Sequence, residues 1–146
     1  MAELKAIWIK RVRRGKMDPV SSASLQAGHG IVGNTNVGGR RQVTIIEREV
    51  WDRHMAVHDA SLDPSTRRAN LMVSGCALAD SRGRVLRIGD CRIRILGETK
   101  PCEQMNEALA GLRETMYANW GGGAYGEVLT DGTISVGDVV GWDDGA

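Results

Sequence analysis

From residue 84 onward the chain alternates short apolar runs with two-residue turns, and that rhythm leaves few folds open to it. Residues 84–88 are followed by Gly89-Asp90 and then by residues 91–96. Cys91, Ile93 and Ile95 alternate with Arg92 and Arg94, the period-two pattern of a strand with one buried and one wet face. Toward the C-terminus, residues 127–129, Asp131-Gly132, 133–136, Gly137-Asp138 and 139–142 repeat the rhythm. Asp-Gly between β-type runs predicts a hairpin, because a type I′ turn needs positive φ at both central positions. With Gly-Asp at 89–90 and again at 137–138, this half is expected to form a meander that curls into a barrel or sandwich.

The first half reads less regularly. Residues 4–12 form an opening strand, with Ile7, Trp8 and Ile9 running together and no helical stripe. A long segment rich in Gly, Ser and Asn extends to about Gly39; loops of that length inside compact domains are functional or partly ordered by short strands. Residues 42–46 are a second strand. Residues 47–60 turn helical, with Val50, Trp51, His54, Val57 and His58 on one face. Asp63-Pro64-Ser65 signals a turn or helix start, and residues 69–73 are a short apolar run. A helix is predicted over 102–117, where Cys102, Met105, Leu109, Leu112 and Met116 recur at spacings of three and four before Gly121-Gly122-Gly123. The expected architecture is mainly β (α+β), one domain over residues 1–146, with two or three short helices outside or at a rim.

At 146 residues the chain is long enough to bury a core of its own. Nineteen basic against eighteen acidic residues give a net charge of +1, without the basic excess that phosphate-backbone binding requires, so nucleic acid is not an expected partner. No stretch approaches the roughly 20 apolar residues of a membrane span, and the N-terminal residues lack the pattern of a signal peptide. The expected location is the cytoplasm. Basic groups do cluster locally, at Arg11, Arg13 and Arg14, at Arg40 and Arg41, and at Arg67 and Arg68. Such clusters are usually solvated faces, but paired guanidinium forks also suit one anionic small molecule.

Gly28-His29-Gly30-Ile31-Val32-Gly33 satisfies the GxGxxG expression. A dinucleotide site would also need a helix opening at the glycines, and Asn34-Thr35-Asn36 with two further glycines cannot open one. The segment is a loop. His54 and His58 stand four apart but lack the glutamate of HExxH, Met55 taking its place; they read as half-buried, hydrogen-bonded histidines rather than metal ligands.

Three cysteines, with no CxxC and no secretory context, point to free thiols rather than a disulfide framework. Cys91 falls on the apolar face of its strand, and nothing separates Cys76 from a structural thiol. Cys102 lies in Glu98-Thr99-Lys100-Pro101-Cys102, where a strand ends and a helix begins. A thiol there faces unpaired backbone N–H groups, with Lys100 nearby, which favours the thiolate. The same residue also begins an apolar stripe, so position alone leaves both a reactive and a core-capping reading open.

The order of these features resembles the MOSC family, the domain found at the C-terminus of molybdenum-cofactor sulfurases and as free-standing bacterial proteins. The matching stretches are Gly30-Ile31-Val32-Gly33 with Gly38-Gly39 and Arg41-Gln42-Val43, and the run from Arg67 to Gly75. After them come Arg87-Ile88-Gly89-Asp90, Lys100-Pro101-Cys102 and Gly137-Asp138-Val139-Val140. The resemblance implies a β-barrel with a few peripheral helices, its signature cysteine falling on Cys102. It implies one of two roles for that thiol. Cys102 would carry sulfur as a persulfide received from a pyridoxal-phosphate cysteine desulfurase, or it would ligate molybdenum held by a pterin (molybdopterin). The second role is that of reductases of N-hydroxylated compounds, which need a separate reductase partner. Arg41, Arg67, Arg68 and Asn70 would then hold the pterin or its phosphate. The chain departs from many relatives at Asn34-Thr35-Asn36, where an Asp-Arg-His run is common. That departure supports the alternative of a non-catalytic binding module for an anionic small molecule or a protein partner.

Overall fold

Strands in this protein bury either one face or two, and the difference sets the architecture. The computed structural model describes residues 2–143. In chain order these form β1 (Glu3–Lys10), β2 (Met17–Val20), β3 (Ser22–Gln26), β4 (Gly30–Ile31), β5 (Val43–Glu47) and α1 (Arg48–Val57). A 3-10 turn at Pro64–Arg67 follows, then β6 (Leu71–Ser74), β7 (Val85–Ile88), β8 (Cys91–Glu98), α2 (Glu103–Ala108) and α3 (Leu112–Tyr117). The chain ends with β9 (Ala124–Val128), β10 (Gly132–Ser135) and β11 (Val140–Asp143). The long glycine-rich segment is thus ordered by three short strands.

Eight strands make one sheet in the order β11-β7-β8-β9-β5-β6-β1-β2, and β10-β3-β4 make a second. The ladder of β5 with β6 is parallel, which requires a crossover; α1 and the 3-10 turn supply it. Leu4, Ile7, Ile45, Leu71, Ile93 and Ile95 of the large sheet meet Leu25, Ile31 and Ile134 of the small one in a single core. On the opposite face Trp8, Ile46 and Met72 pack with Ala69. Strands β1, β5 and β6 are therefore covered on both sides, which is why Ile7-Trp8-Ile9 and Leu71-Met72-Val73 are unbroken apolar runs. Cys91 is buried on the inner face of β8, as its alternation predicts.

The mainly-β class holds, but the sheet does not close into a barrel. The outer edge of β1 is divided: Ile7 to Lys10 pair with β2, while Glu3 forms only an isolated bridge with Val139. Backbone bonds of Ala2 and Leu4 with residues 137–140 pin the two margins together without extending a ladder.

The hairpin expected at Asp131-Gly132 is also absent. Strand β9 already has β8 on one side and β5 on the other, so no edge is left for β10. The chain crosses instead to the small sheet, where Gly132 to Ser135 pair with β3 and the Asp131 carboxylate accepts from Ala27 N–H (2.8 Å). The Gly137-Asp138 turn likewise passes between sheets, since β11 pairs with β7; of these three turns, Gly89-Asp90 alone closes a hairpin.

The helix predicted over 102–117 is two. Leu109 is extended (φ −159°) and Gly111 left-handed (φ +87°), and the Asn106 side chain caps the second segment by accepting from Arg113 N–H (2.9 Å). The break lets Met105, Leu112 and Met116 converge on Trp51 and Met55 of α1.

Ile95 lies fully buried in the middle of the large sheet. Truncation to alanine is expected to cost about 2–5 kcal/mol and Ile95→Val about 0.5–1.5 kcal/mol. Urea denaturation checks this as a lowered midpoint with an unchanged m-value.

Candidate functional site

The chain between α1 and β6 sets two arginines on either side of a cleft. Asp63 caps the 3-10 turn, its carboxylate accepting from Ser65 N–H (2.8 Å), and Pro64 opens it. Arg68 ends the turn in the left-handed conformation (φ +63°), unusual for a residue with a side chain. The reversal sends the two guanidinium groups to different segments. Arg68 Nη2 donates to Gly15 O (2.5 Å) in the β1–β2 turn, while Arg67 Nε donates to Gly122 O (3.0 Å) and its Nη2 to Thr99 O (3.3 Å).

The Gly122 carbonyl is the fixed point on the Arg67 side. It also accepts from Thr99 Oγ1 (2.7 Å) inside the protein. A Cβ at Gly122 would stand 2.1 Å from the Thr99 carbonyl oxygen, so only glycine allows the two backbones to approach this closely. His54, buried on α1, donates Nε2–H to the neighbouring Gly121 carbonyl (2.8 Å), and His58 bonds to Thr115 Oγ1 (2.7 Å). Both histidines are hydrogen-bonded, tying α1 to the segment from 115 to 121.

This knot delivers Cys102. Pro101 is buried beside Gly122, and Cys102 follows in extended conformation as the N-cap of α2. The helix thus begins one residue later than its apolar spacing suggests, and Cys102 is exposed rather than part of the core. Its Sγ lies 3.8 Å from Gln104 Oε1. A six-residue helix contributes little dipole, so the positive surroundings of the thiol come from side chains.

Cys102 lines a cleft of about 240 Å³ together with Arg41, Arg67, Arg68 and Asn70. Lys10 and Lys100 bring the cations to five, and among the described residues no aspartate, glutamate or histidine lines it. Burial lowers the pKa of Arg67; a charge on Cys102 opposes the shift and Arg41 adds to it. Burial also lowers Lys10, helped by Arg68 and Arg13. Lys100 is partly spent, its ammonium lying 3.2 Å from Glu98 Oε1 and over the Tyr117 ring at 4.2 Å. Arg41 is exposed and stacks on Tyr125 at 5.1 Å.

The residues singled out from the sequence therefore meet at one place, but not in one manner. The Asn70 side chain is buried in the cleft floor, with both amide hydrogens and its carbonyl oxygen engaged by protein groups. It positions the floor. Asn34, in the run that departs from relatives, is likewise structural: its Oδ1 accepts from Lys10 N–H (2.9 Å) and from Asn70. Sequence reasoning passed over Lys10, Asn36, Thr99, Gln104 and Gly122 as site residues. The Gly121-Gly122-Gly123 run was the available signal, since three glycines imply a close approach as readily as a helix stop.

The MOSC domain family model matches residues 32–141, three quarters of the chain. The chain belongs to the MOSC family. Its fold is shared with the YuaD protein of Bacillus subtilis, at a TM-score of 0.79 and 19% identity over 96% of this chain and 94% of that chain. YiiM from Geobacillus stearothermophilus aligns at a TM-score of 0.74 and 14% identity, covering 98% of this chain and 75% of that one. YiiM from Escherichia coli aligns at 0.71 and 18% identity, covering 100% and 71%. No curated protein matches. Among the described residues, no helix of this MOSC chain is long and apolar enough to cross a membrane.

Two outcomes follow from the knot beneath Cys102. Gly122→Ala is expected to cost about 1–3 kcal/mol by overpacking against Thr99 and to displace Cys102, read as a lower melting temperature with a changed rate of thiol labelling. Burial lowers the pKa of His54 below its usual 6.5, so acidification protonates the unfolded chain first. Stability is expected to fall as pH drops below about 6.5, and the slope to shrink in His54→Gln, measured by urea titration at each pH.

Proposed function

We propose that this MOSC protein binds the molybdenum cofactor in the arginine-lined cleft, with Cys102 as the thiolate that meets its metal. The observation that carries the reading is an exposed thiol sharing one cleft with Arg41, Arg67 and Arg68, with no carboxylate among the described residues lining it. The donor set suits such a group. Guanidinium forks match a phosphate, and a soft thiolate matches molybdenum. Arg41 and the unspent Nη1 of Arg67 are the groups that would take the phosphate. Asn70, Thr99 and Gly122 would hold the frame on which they and Cys102 stand. When bound, the pterin-held molybdenum supplies redox chemistry, with N-hydroxylated compounds as the substrate class and a separate reductase as the electron source.

A second reading has its own support. Cys102 is exposed, and among the described residues the cleft has no histidine or carboxylate to serve as a general acid or base. Exchange of sulfur between thiols needs neither. In this reading Cys102 attacks the outer sulfur of a persulfide on a cysteine desulfurase. The donor's S–S bond breaks, a new one forms on Cys102, and the donor leaves as a thiolate with no net oxidation.

Metal analysis and intact mass of protein purified from a host that makes molybdenum cofactor separate these readings. Molybdenum and pterin present in the wild type and lost in Cys102→Ser would establish cofactor binding through the thiol. An adduct of about 32 Da on Cys102 after incubation with a desulfurase and cysteine, without molybdenum, would establish the carrier. Neither signal would leave an anion-binding module and overturn both.

A further inference from the structure

The cleft at Cys102 does not end at Arg68. A second concavity of about 400 Å³ adjoins it, lined by Arg13 and Arg14 of the β1–β2 turn and by Lys10, Asn36, Arg68 and Gln104. The last four residues line both. The two spaces are therefore lobes of one groove, with the thiol in the first and a separate pair of arginines in the second.

The turn bearing that pair is held in place at some cost. Arg14 is left-handed (φ +60°), an unfavourable conformation for a residue with a Cβ. Gly15 N–H closes the turn on Val12 O (2.9 Å), and Arg68, itself left-handed, donates to Gly15 O. On the same hairpin Arg11 is neutralised by Asp18 (2.8 Å), whereas among the described residues neither Arg13 nor Arg14 has an ion-pair partner. Unpaired cations anchored around a concavity repel one another, and a bound anion relieves that repulsion.

We propose that this is a two-lobed anion site, in which Arg13 and Arg14 hold a second anionic group of the ligand whose first sits beside Cys102. The ligand class is a small molecule that carries a second phosphate-type group beyond the one held in the first lobe. The inference deepens the anion-site reading of the cleft and does not depend on the chemistry of the thiol.

Calorimetric titration with AMP, ADP and adenosine 3′,5′-bisphosphate at constant ionic strength tests it, because the probes share a base and differ in the second phosphate. The wild type is expected to bind at least one two-phosphate probe about tenfold more tightly than AMP. Arg13→Gln/Arg14→Gln is expected to abolish that preference while leaving AMP affinity within about twofold. Equal affinities in the wild type, no binding of any probe, or a preference that survives the double substitution would each overturn the proposal. Cys102→Ser, run in parallel, keeps the preference, so a failed thiol chemistry and a failed second lobe remain distinguishable.

Discussion

One buried amide ties together the segments on which the cleft depends. Asn70 Nδ2 donates to Trp8 O (3.2 Å) in β1 and to Asn34 Oδ1 (3.2 Å) in the glycine-rich loop, and its Oδ1 accepts from Thr44 N–H and Oγ1 in β5 (3.2 Å each). Its own backbone N–H reaches Thr44, and its carbonyl accepts from Trp8 N–H (2.7 Å). Each of these groups would cost about 1–3 kcal/mol if left buried and unsatisfied. The arrangement sets β1, β5 and the loop in register at the point where β6 begins. Lys10 and Thr44 on one side, and Arg67 and Arg68 just before β6, inherit their positions from it. An aspartate could not substitute, because it has no hydrogens to donate to Trp8 and Asn34.

Above that floor the protein departs from what stability alone would favour. Five cations line one cleft without a carboxylate among the lining residues, in a chain whose net charge is +1. The compensating acids lie elsewhere, as in Glu3 with Lys5 and Glu127 with Arg94. Arg67 is kept in place by neutral carbonyls at Gly122 and Thr99 rather than by a counter-ion. A guanidinium held in this way keeps its charge, is oriented, and has hydrogen-bonding capacity to spare. Charge distribution, which composition does not report, is what shapes this site.

Much of the fold was legible where the pattern was local. The alternation at Cys91, Ile93 and Ile95 and the Gly89-Asp90 hairpin follow from residues a few positions apart, and both are present. The expected face of α1 is present only in part: Trp51 and His54 are buried, but Met55 is buried with them while Val57 is exposed. The errors arose where a local signal met a distant competitor. Asp131-Gly132 has hairpin chemistry, yet both edges of β9 were occupied by strands from elsewhere in the chain. The spacing from Cys102 to Met116 is helical throughout, yet convergence on Trp51 and Met55 broke it at Gly111, whose added Cβ would meet the His58 ring at 3.1 Å. The barrel failed for a similar reason, the edge of β1 being shared between β2 and a single bridge.

By itself, then, the sequence determined the β-rich class, the family through an ordered series of short motifs, and the identity of the exposed cysteine and the arginines worth following. Those are properties of residue type and spacing, which survive being read along a line. Only the tertiary structure decided that Arg41, Arg67, Arg68 and Cys102 share one cleft, that Asn70 serves its floor, and that Lys10, Thr99 and Gly122 belong to the site at all. It also joined Arg13 and Arg14 to that cleft through Lys10 and Arg68. These residues are brought together by strand order and by hydrogen bonds between segments far apart in the chain. Many of those bonds end on backbone carbonyls, which every residue carries, so the order of side chains does not mark which carbonyl a given side chain will meet.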